Sequence, residues 1–106
     1  MAFTIKQNDT SPALQATLKD YAGVAVNLLG ASVKFHLKSV DGTIKVDAPM
    51  TIQNASGGIV VYSWEAGDTD TSGTYYAEFQ VTYSDLSVET FPNTGSLAVL
   101  VVPELK

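Results

Sequence analysis

The stretch that decides the fold is "GTYYAEFQVTY", residues 73–83. Apolar and polar side chains alternate through it with a period of two, which is the spacing of a β-strand that buries one face. Its inward positions are expected to be Tyr75, Ala77, Phe79, Val81 and Tyr83. The preceding "GDTDTS", residues 67–72, is rich in glycine, aspartate and serine, which favour turns. The stretch therefore predicts a loop followed by a long, half-buried strand.

The same alternation recurs along the chain, and no segment holds the apolar spacing of a helix over ten residues. Strands are expected within 3–8, 12–20, 31–39, 43–52 and 58–65, in a short segment that ends at residue 91, and within 96–102. The inward residues of three of them are Leu14, Ala16 and Leu18, then Val33, Phe35 and Leu37, then Val60, Tyr62 and Trp64. About seven to nine short strands separated by turns predict an all-β chain, an immunoglobulin-like antiparallel β-sandwich with Greek-key connections.

Composition limits the classes of function. The 106 residues are about the size of one domain, so residues 1–106 are expected to form a single unit. No apolar run approaches the roughly 20 residues of a membrane-spanning helix. The net charge is −5 and arginine is absent, which argues against nucleic acid as a partner. Cysteine is also absent, which excludes disulfides, thiolate zinc sites and cysteine nucleophiles.

The loop before the long strand contains three candidate calcium ligands, Asp68, Asp70 and Ser72. They occupy positions 1, 3 and 5 of a calcium loop that has a glycine at position 6. Position 12 should be a bidentate glutamate but is a phenylalanine, and Glu78 falls one residue early. The flanking segments alternate as strands where this motif needs helices. A solvated turn is therefore expected, with a calcium site as the weaker alternative and no cofactor elsewhere.

Tyr75 supports a second interpretation of the same stretch, the tyrosine corner of Greek-key sandwiches. In that motif a tyrosine near the start of strand F donates a hydrogen bond from its hydroxyl to the preceding connection. Tyr75 lies on the inward face two residues before Ala77, and it follows the turn that contains Asp70 and Gly73. These three residues, Tyr75, Asp70 and Gly73, are therefore expected to form a structural corner.

Nothing in the sequence indicates an enzyme. His36 is the only histidine, and it is expected on an outward face between two lysines, without a partner. The motifs of a nucleophile elbow and of a phosphate-binding loop are missing. A stacking platform for host-surface glycans is a separate possibility, because aromatic faces pack well on sugar rings. Its candidates are Tyr62, Trp64, Tyr76 and Tyr83, of which only Tyr76 is expected to face outward.

The final strand, "SLAVLVV" at 96–102, is apolar on both faces. Leu97, Val99 and Val101 would fill the inward face. Ala98, Leu100 and Val102 make the outward face apolar as well, and a strand of this kind is usually covered on both sides. Either the N-terminal segment or a loop covers it, or the surface serves in assembly. In the second case the interface candidates are Ala98, Leu100, Val102 and the outward Tyr76.

Three patterns carry a resemblance to a known family. They are Leu-x-Gly-Ala-x-Val-x-Phe at 28–35, Asp-Thr followed by Gly-x-Tyr-x-Ala-Glu-Phe within 70–79, and Thr-Phe-Pro at 90–92. From about residue 3 to residue 102, the chain resembles the immunoglobulin-like N-terminal domain of phage baseplate upper proteins and related stand-alone virion proteins of tailed phages.

The resemblance implies a non-enzymatic structural part of the virion, of tail or baseplate type. Such a part would attach to other phage virion proteins by protein–protein contacts, in multiple copies on a symmetric particle. It would fold in the host cytoplasm before assembly, in agreement with the lack of cysteine and of a secretory signal at the start. The helical regions of a full baseplate protein are missing here, so two alternatives stand: a capsid decoration or neck protein of the same fold, or a carbohydrate-binding host-adhesion module.

Overall fold

The computed structural model describes residues 2–93 and 95–105. Over these residues the chain forms nine β-strands and no helix, so the predicted all-β class is confirmed. The strands are β1 (Ala2–Lys6), β2 (Leu14–Thr17), β3 (Ser32–Ser39), β4 (Ile44–Pro49), β5 (Thr51–Asn54), β6 (Ile59–Tyr62), β7 (Gly73–Thr82), β8 (Val88–Phe91) and β9 (Leu97–Val102). A helix long and apolar enough to cross a membrane is not found in the described ranges.

The strands form two sheets of unequal size that pack as a sandwich. The large sheet has the order β1-β9-β7-β3-β4, with β8 also paired to β7, and the small sheet has the order β2-β6-β5. All pairings are antiparallel except that of β1 with β9, which is parallel, so the large sheet is mixed rather than purely antiparallel as predicted. Almost the whole domain separates β1 from β9 in sequence. No tight hairpin therefore sets their relative direction.

The segment expected as one strand at 43–52 is two strands in different sheets. β4 pairs with β3 in the large sheet, whereas β5 pairs with β6 in the small sheet. Pro49 ends β4, and proline has no N–H to continue a ladder. Met50 then donates its backbone N–H to the carbonyl of Val33 at 2.9 Å as the chain passes to the other layer. Alternation alone does not reveal such a change of sheet, because both strands keep the same period.

The core lies between the two sheets and is built around Phe35, which is fully buried. Its ring stacks on Tyr62 with centroids 4.6 Å apart and meets the edge of Trp64 at 5.7 Å. The inward residues predicted by alternation in the strands of both sheets are buried, except that Ala16, Tyr83 and Leu97 are half-buried. Side chains of both layers therefore interdigitate as expected for a sandwich.

Candidate functional site

The 67–72 loop is held by side-chain contacts that satisfy its acidic residues. The carboxylate of Asp68 accepts a hydrogen bond from the Tyr62 hydroxyl at 2.5 Å and another from the backbone N–H of Glu65 at 2.9 Å. Burial raises the pKa of Tyr62, and the hydrogen bond to Asp68 raises it further. Asp68 thus caps a turn and anchors the loop to the core, a role that its exposed, polar sequence context did not indicate.

Thr69 joins the same loop to the N-terminal segment. Among the described residues it is the only buried one whose side chain is polar and not aromatic, 1% exposed, and its hydroxyl donates to the carbonyl oxygen of Asp9 at 2.7 Å. The backbone N–H of Asn8 in turn donates to the Thr69 carbonyl at 2.9 Å. These two bonds tie the end of β1 to the entrance of β7. Sequence reasoning missed Thr69, because nothing local distinguishes it from Thr71, the other threonine of the loop.

Asp70 has a different partner from Asp68. Its carboxylate accepts a hydrogen bond from the Lys45 ammonium at 2.5 Å, which holds the pKa of Asp70 below its usual range. Ser72 is exposed. Within the described ranges no group of three histidine, aspartate or glutamate side chains could hold a metal ion. Asp68 and Asp70 thus have different partners, and the Lys45 ammonium lies at the Asp70 carboxylate, where a cation would bind.

The hydroxyl of Tyr75 donates a hydrogen bond to the carbonyl oxygen of Thr71 at 2.7 Å, and the tyrosine is 5% exposed. This is the contact that characterises a tyrosine corner. Gly73 begins β7 with φ of 150°, a value that residues with a side chain rarely adopt. Asp70, the third residue expected at the corner, binds Lys45 and not Tyr75.

The outer face of the large sheet carries the candidate interface residues. Ala98, Leu100 and Val102 lie on this face and are half-buried, whereas Val99 and Val101 lie on the inner face of the same strand and are buried. The register pairs Tyr76 with Ala98, and residues paired in register point to the same face. Tyr76 is 45% exposed, and its side chain therefore borders this apolar stripe.

The N-terminal segment does not cover that stripe. β1 pairs with the edge of β9 in register, with Ala2 opposite Ala98 and Thr4 opposite Leu100. It therefore extends the sheet sideways. We define the outer apolar face as Tyr76, Ala98, Leu100 and Val102.

A charged region adjoins the outer apolar face on β3 and β4. Asp47 contacts the ammonium of Lys34 at 2.9 Å and Nε2 of His36 at 3.2 Å, and the hydrogen bond from Lys34 lowers the pKa of Asp47. His36 was expected to lack a partner for catalysis or metal binding, and the structure places a single carboxylate, that of Asp47, beside it. The partner comes from the register of β3 with β4, which places His36 opposite Asp47.

The four aromatic candidates for a glycan platform are dispersed. Tyr62 and Trp64 are each 4% exposed and belong to the core. Tyr83 is half-buried, and its hydroxyl donates to a carboxylate oxygen of Glu89 at 2.7 Å. Only Tyr76 of the four presents its ring to solvent, so these residues do not form a stacking surface together.

The family comparison covers nearly the same span as this sandwich. The BppU N-terminal domain matches residues 2–97. The chain belongs to this family. BppU is the phage baseplate upper protein, so the family is one of structural domains of the phage baseplate, and the chain is a virion component.

Solved structures support the fold alone. One similar structure is described as the crystal structure of CopC from Methylosinus trichosporium OB3b, with a TM-score of 0.58 and 14% identity. The alignment covers 99% of this chain and 87% of that chain. No curated protein matches the chain at a significant level.

Proposed function

We propose that the chain is a non-enzymatic structural part of the virion that attaches to other virion proteins through the outer apolar face. Family membership supports a place in the baseplate. This surface is proposed because β1 pairs beside β9 and not over it, so that no strand of the described ranges is layered over Ala98, Leu100 and Val102.

The composition of this face suits a protein–protein contact. A half-buried aliphatic stripe bordered by an exposed tyrosine has the apolar centre and amphipathic edge common at protein interfaces. The neighbouring ion pairs around Asp47 would form a polar rim. Several copies on a symmetric particle would add such modest contacts into firm attachment.

Substitution on the face tests the proposal. Leu100→Glu places a charge in the middle of the stripe, and phage particles purified from cells that produce this variant should lose the chain. Leu86→Glu is the matched control, because Leu86 is 79% exposed in the turn between β7 and β8. Thermal melts of both purified variants check that the fold persists.

The outcomes separate the alternatives. If Leu100→Glu is incorporated as well as Leu86→Glu, the outer apolar face is not the attachment surface. A wild-type chain that is absent from purified particles but binds host envelope sugars on its own would favour the host-adhesion module. A particle reconstruction distinguishes baseplate, neck and capsid positions.

A further inference from the structure

The small sheet ends on one side at β2, whose outer edge has no partner strand within residues 2–93 and 95–105. Next to this edge, the gap between the two sheets is open. A cleft of about 470 Å³ lies there, within the size range of ligand-binding pockets. Its apolar lining includes Phe3, Leu14, Ala16, Phe79, Pro92 and Leu97.

A second cavity of about 240 Å³ continues the cleft along β2. The two cavities share five lining residues, of which Ala16, Thr17 and Lys19 lie on β2 or just after it, and the second cavity also reaches Leu18 and Phe91. Together they follow β2 and the residues after it from position 14 to position 19. The two cavities together are therefore as long as a strand of roughly six residues, at about 3.3 Å per residue.

The hydrogen-bond pattern identifies which backbone groups face the free edge. Leu18 donates its N–H to the carbonyl of Gly58, the residue before β6, at 2.8 Å. In an antiparallel pair, the backbone N–H and C=O groups of successive residues point alternately toward the partner strand and away from it. Those of Ala16 therefore point toward β6, whereas those of Gln15 and Thr17 point toward the free edge. An incoming strand would find donors and acceptors at Gln15 and Thr17.

Edge strands are usually protected from such pairing by charges within the strand. β4 carries Lys45 and Asp47, and β1 carries Lys6, whereas β2 has the sequence Leu-Gln-Ala-Thr and no charge. β5 is uncharged too, but it lies at the opposite edge of the small sheet, away from the cleft. β2 therefore combines an unprotected edge with an apolar space beside it.

We propose that the β2 edge binds an extended segment of another polypeptide as an added strand. The segment would pair with Gln15 and Thr17 and place alternate apolar side chains in the cleft. Lys19 is the only charged residue among those that line the two cavities, so a carboxylate on the segment would complement it.

A second copy of this chain does not fit the same site. Pairing two β2 edges would bring together strands whose inward residues already lie in their own cores, since Leu14 is 1% exposed. The cleft would then remain unfilled. Only a segment that is not already part of a sandwich can both pair with the edge and fill the cleft.

Titration with synthetic peptides tests this proposal on the purified chain. The probes are capped heptapeptides in which Val, Leu or Phe alternates with threonine and one end carries glutamate. At least one should shift the amide resonances of Gln15 and Thr17 and slow their hydrogen exchange. Control peptides with proline in place of each threonine keep the apolar side chains but cannot form a regular paired strand, and they should not bind.

Two variants of one position separate backbone pairing from simple apolar contact. Gln15→Pro removes an outward N–H and leaves the bonds to β6 in place, so it should weaken binding about tenfold, the factor that corresponds to one backbone hydrogen bond. Gln15→Ala keeps the N–H and should bind like the wild type. Equal binding by Gln15→Pro and Gln15→Ala would overturn the proposal, as would the absence of any binding at millimolar peptide.

The β2 edge and the outer apolar face are separate surfaces, so binding at one can be lost while binding at the other is kept. Leu100→Glu should bind the peptides normally even if it is lost from particles. If Leu100→Glu abolishes peptide binding, the peptides occupy the outer face and the β2 site is wrong.

Discussion

Removing the Tyr75 hydroxyl isolates the corner contact from the rest of the core. Tyr75→Phe keeps the ring, which is almost fully buried, and deletes only the donor to the Thr71 carbonyl. Thr71 is itself exposed, so water can reach the carbonyl that is left. The loss should therefore be that of an ordinary hydrogen bond, about 1 kcal/mol of unfolding free energy, and not the larger penalty of a buried unpaired group. For a domain of this size, Tm should fall by about 4 °C.

Fluorescence of Trp64 gives the assay. It is the only tryptophan, it is 4% exposed, and its ring contacts Phe35 and Tyr62 in the core, so its emission should shift when the two sheets separate. Urea and thermal unfolding followed at this residue measure the change in stability.

The adjacent tyrosine is the control. Tyr76→Phe also deletes a hydroxyl, but Tyr76 is 45% exposed and its hydroxyl has no hydrogen-bond partner among the residues described. Its unfolding curve should match the wild type. If the two variants lose the same stability, or if Tyr75→Phe loses none, the corner does not stabilise the fold in the way argued.

Three further outcomes are expected. Gly58→Ala should lower the free energy of unfolding by about 2 kcal/mol, because φ is +66° and a Cβ would lie 2.8 Å from the Leu18 carbonyl oxygen. Gly42→Ala, also at positive φ but with open space around it, should lower it less in the same urea titration. Burial raises the pKa of Tyr83 to about 12, so the folded chain holds a proton that the unfolded chain releases near pH 10. The stability that the protonated Tyr83 contributes is present below pH 10 and should be lost between about pH 10 and 12. The urea midpoint should therefore fall from pH 9 to pH 11, and it should fall less in Tyr83→Phe. Excess calcium or a chelator should leave the thermal midpoint unchanged, because Asp70 already binds a lysine; a rise with calcium would restore the metal-site hypothesis.

Local alternation predicted which side chains are buried. The inward positions of the long strand, from Tyr75 to Val81, are buried as expected, and so are those of β3 around Phe35. This works because the side-chain direction in a strand follows from the backbone of that strand alone. The outward position of Leu100, and with it the apolar character of the outer face, was predictable for the same reason.

Hydrogen-bond partners were predictable only over short distances in sequence. The bond from Tyr75 to Thr71 spans four residues, and a known motif describes it. The bond from Thr69 to Asp9 spans 60 residues, and the contact of His36 with Asp47 depends on strand register. The two aspartates of the loop suggested a shared metal ion, but the fold supplies each with a different partner.

The sequence by itself determined the strand class, the faces of the strands and the family. Only the tertiary structure decided which strands are neighbours: β1 lies beside β9, residues 43–52 divide between the two sheets, and the edge of β2 is left open above a cleft. The physical reason is that pairing depends on contacts between segments far apart in the chain, each of which satisfies the same period-two pattern. Alternation specifies which side chains a strand buries, and the assembled sandwich specifies which residues they pack against.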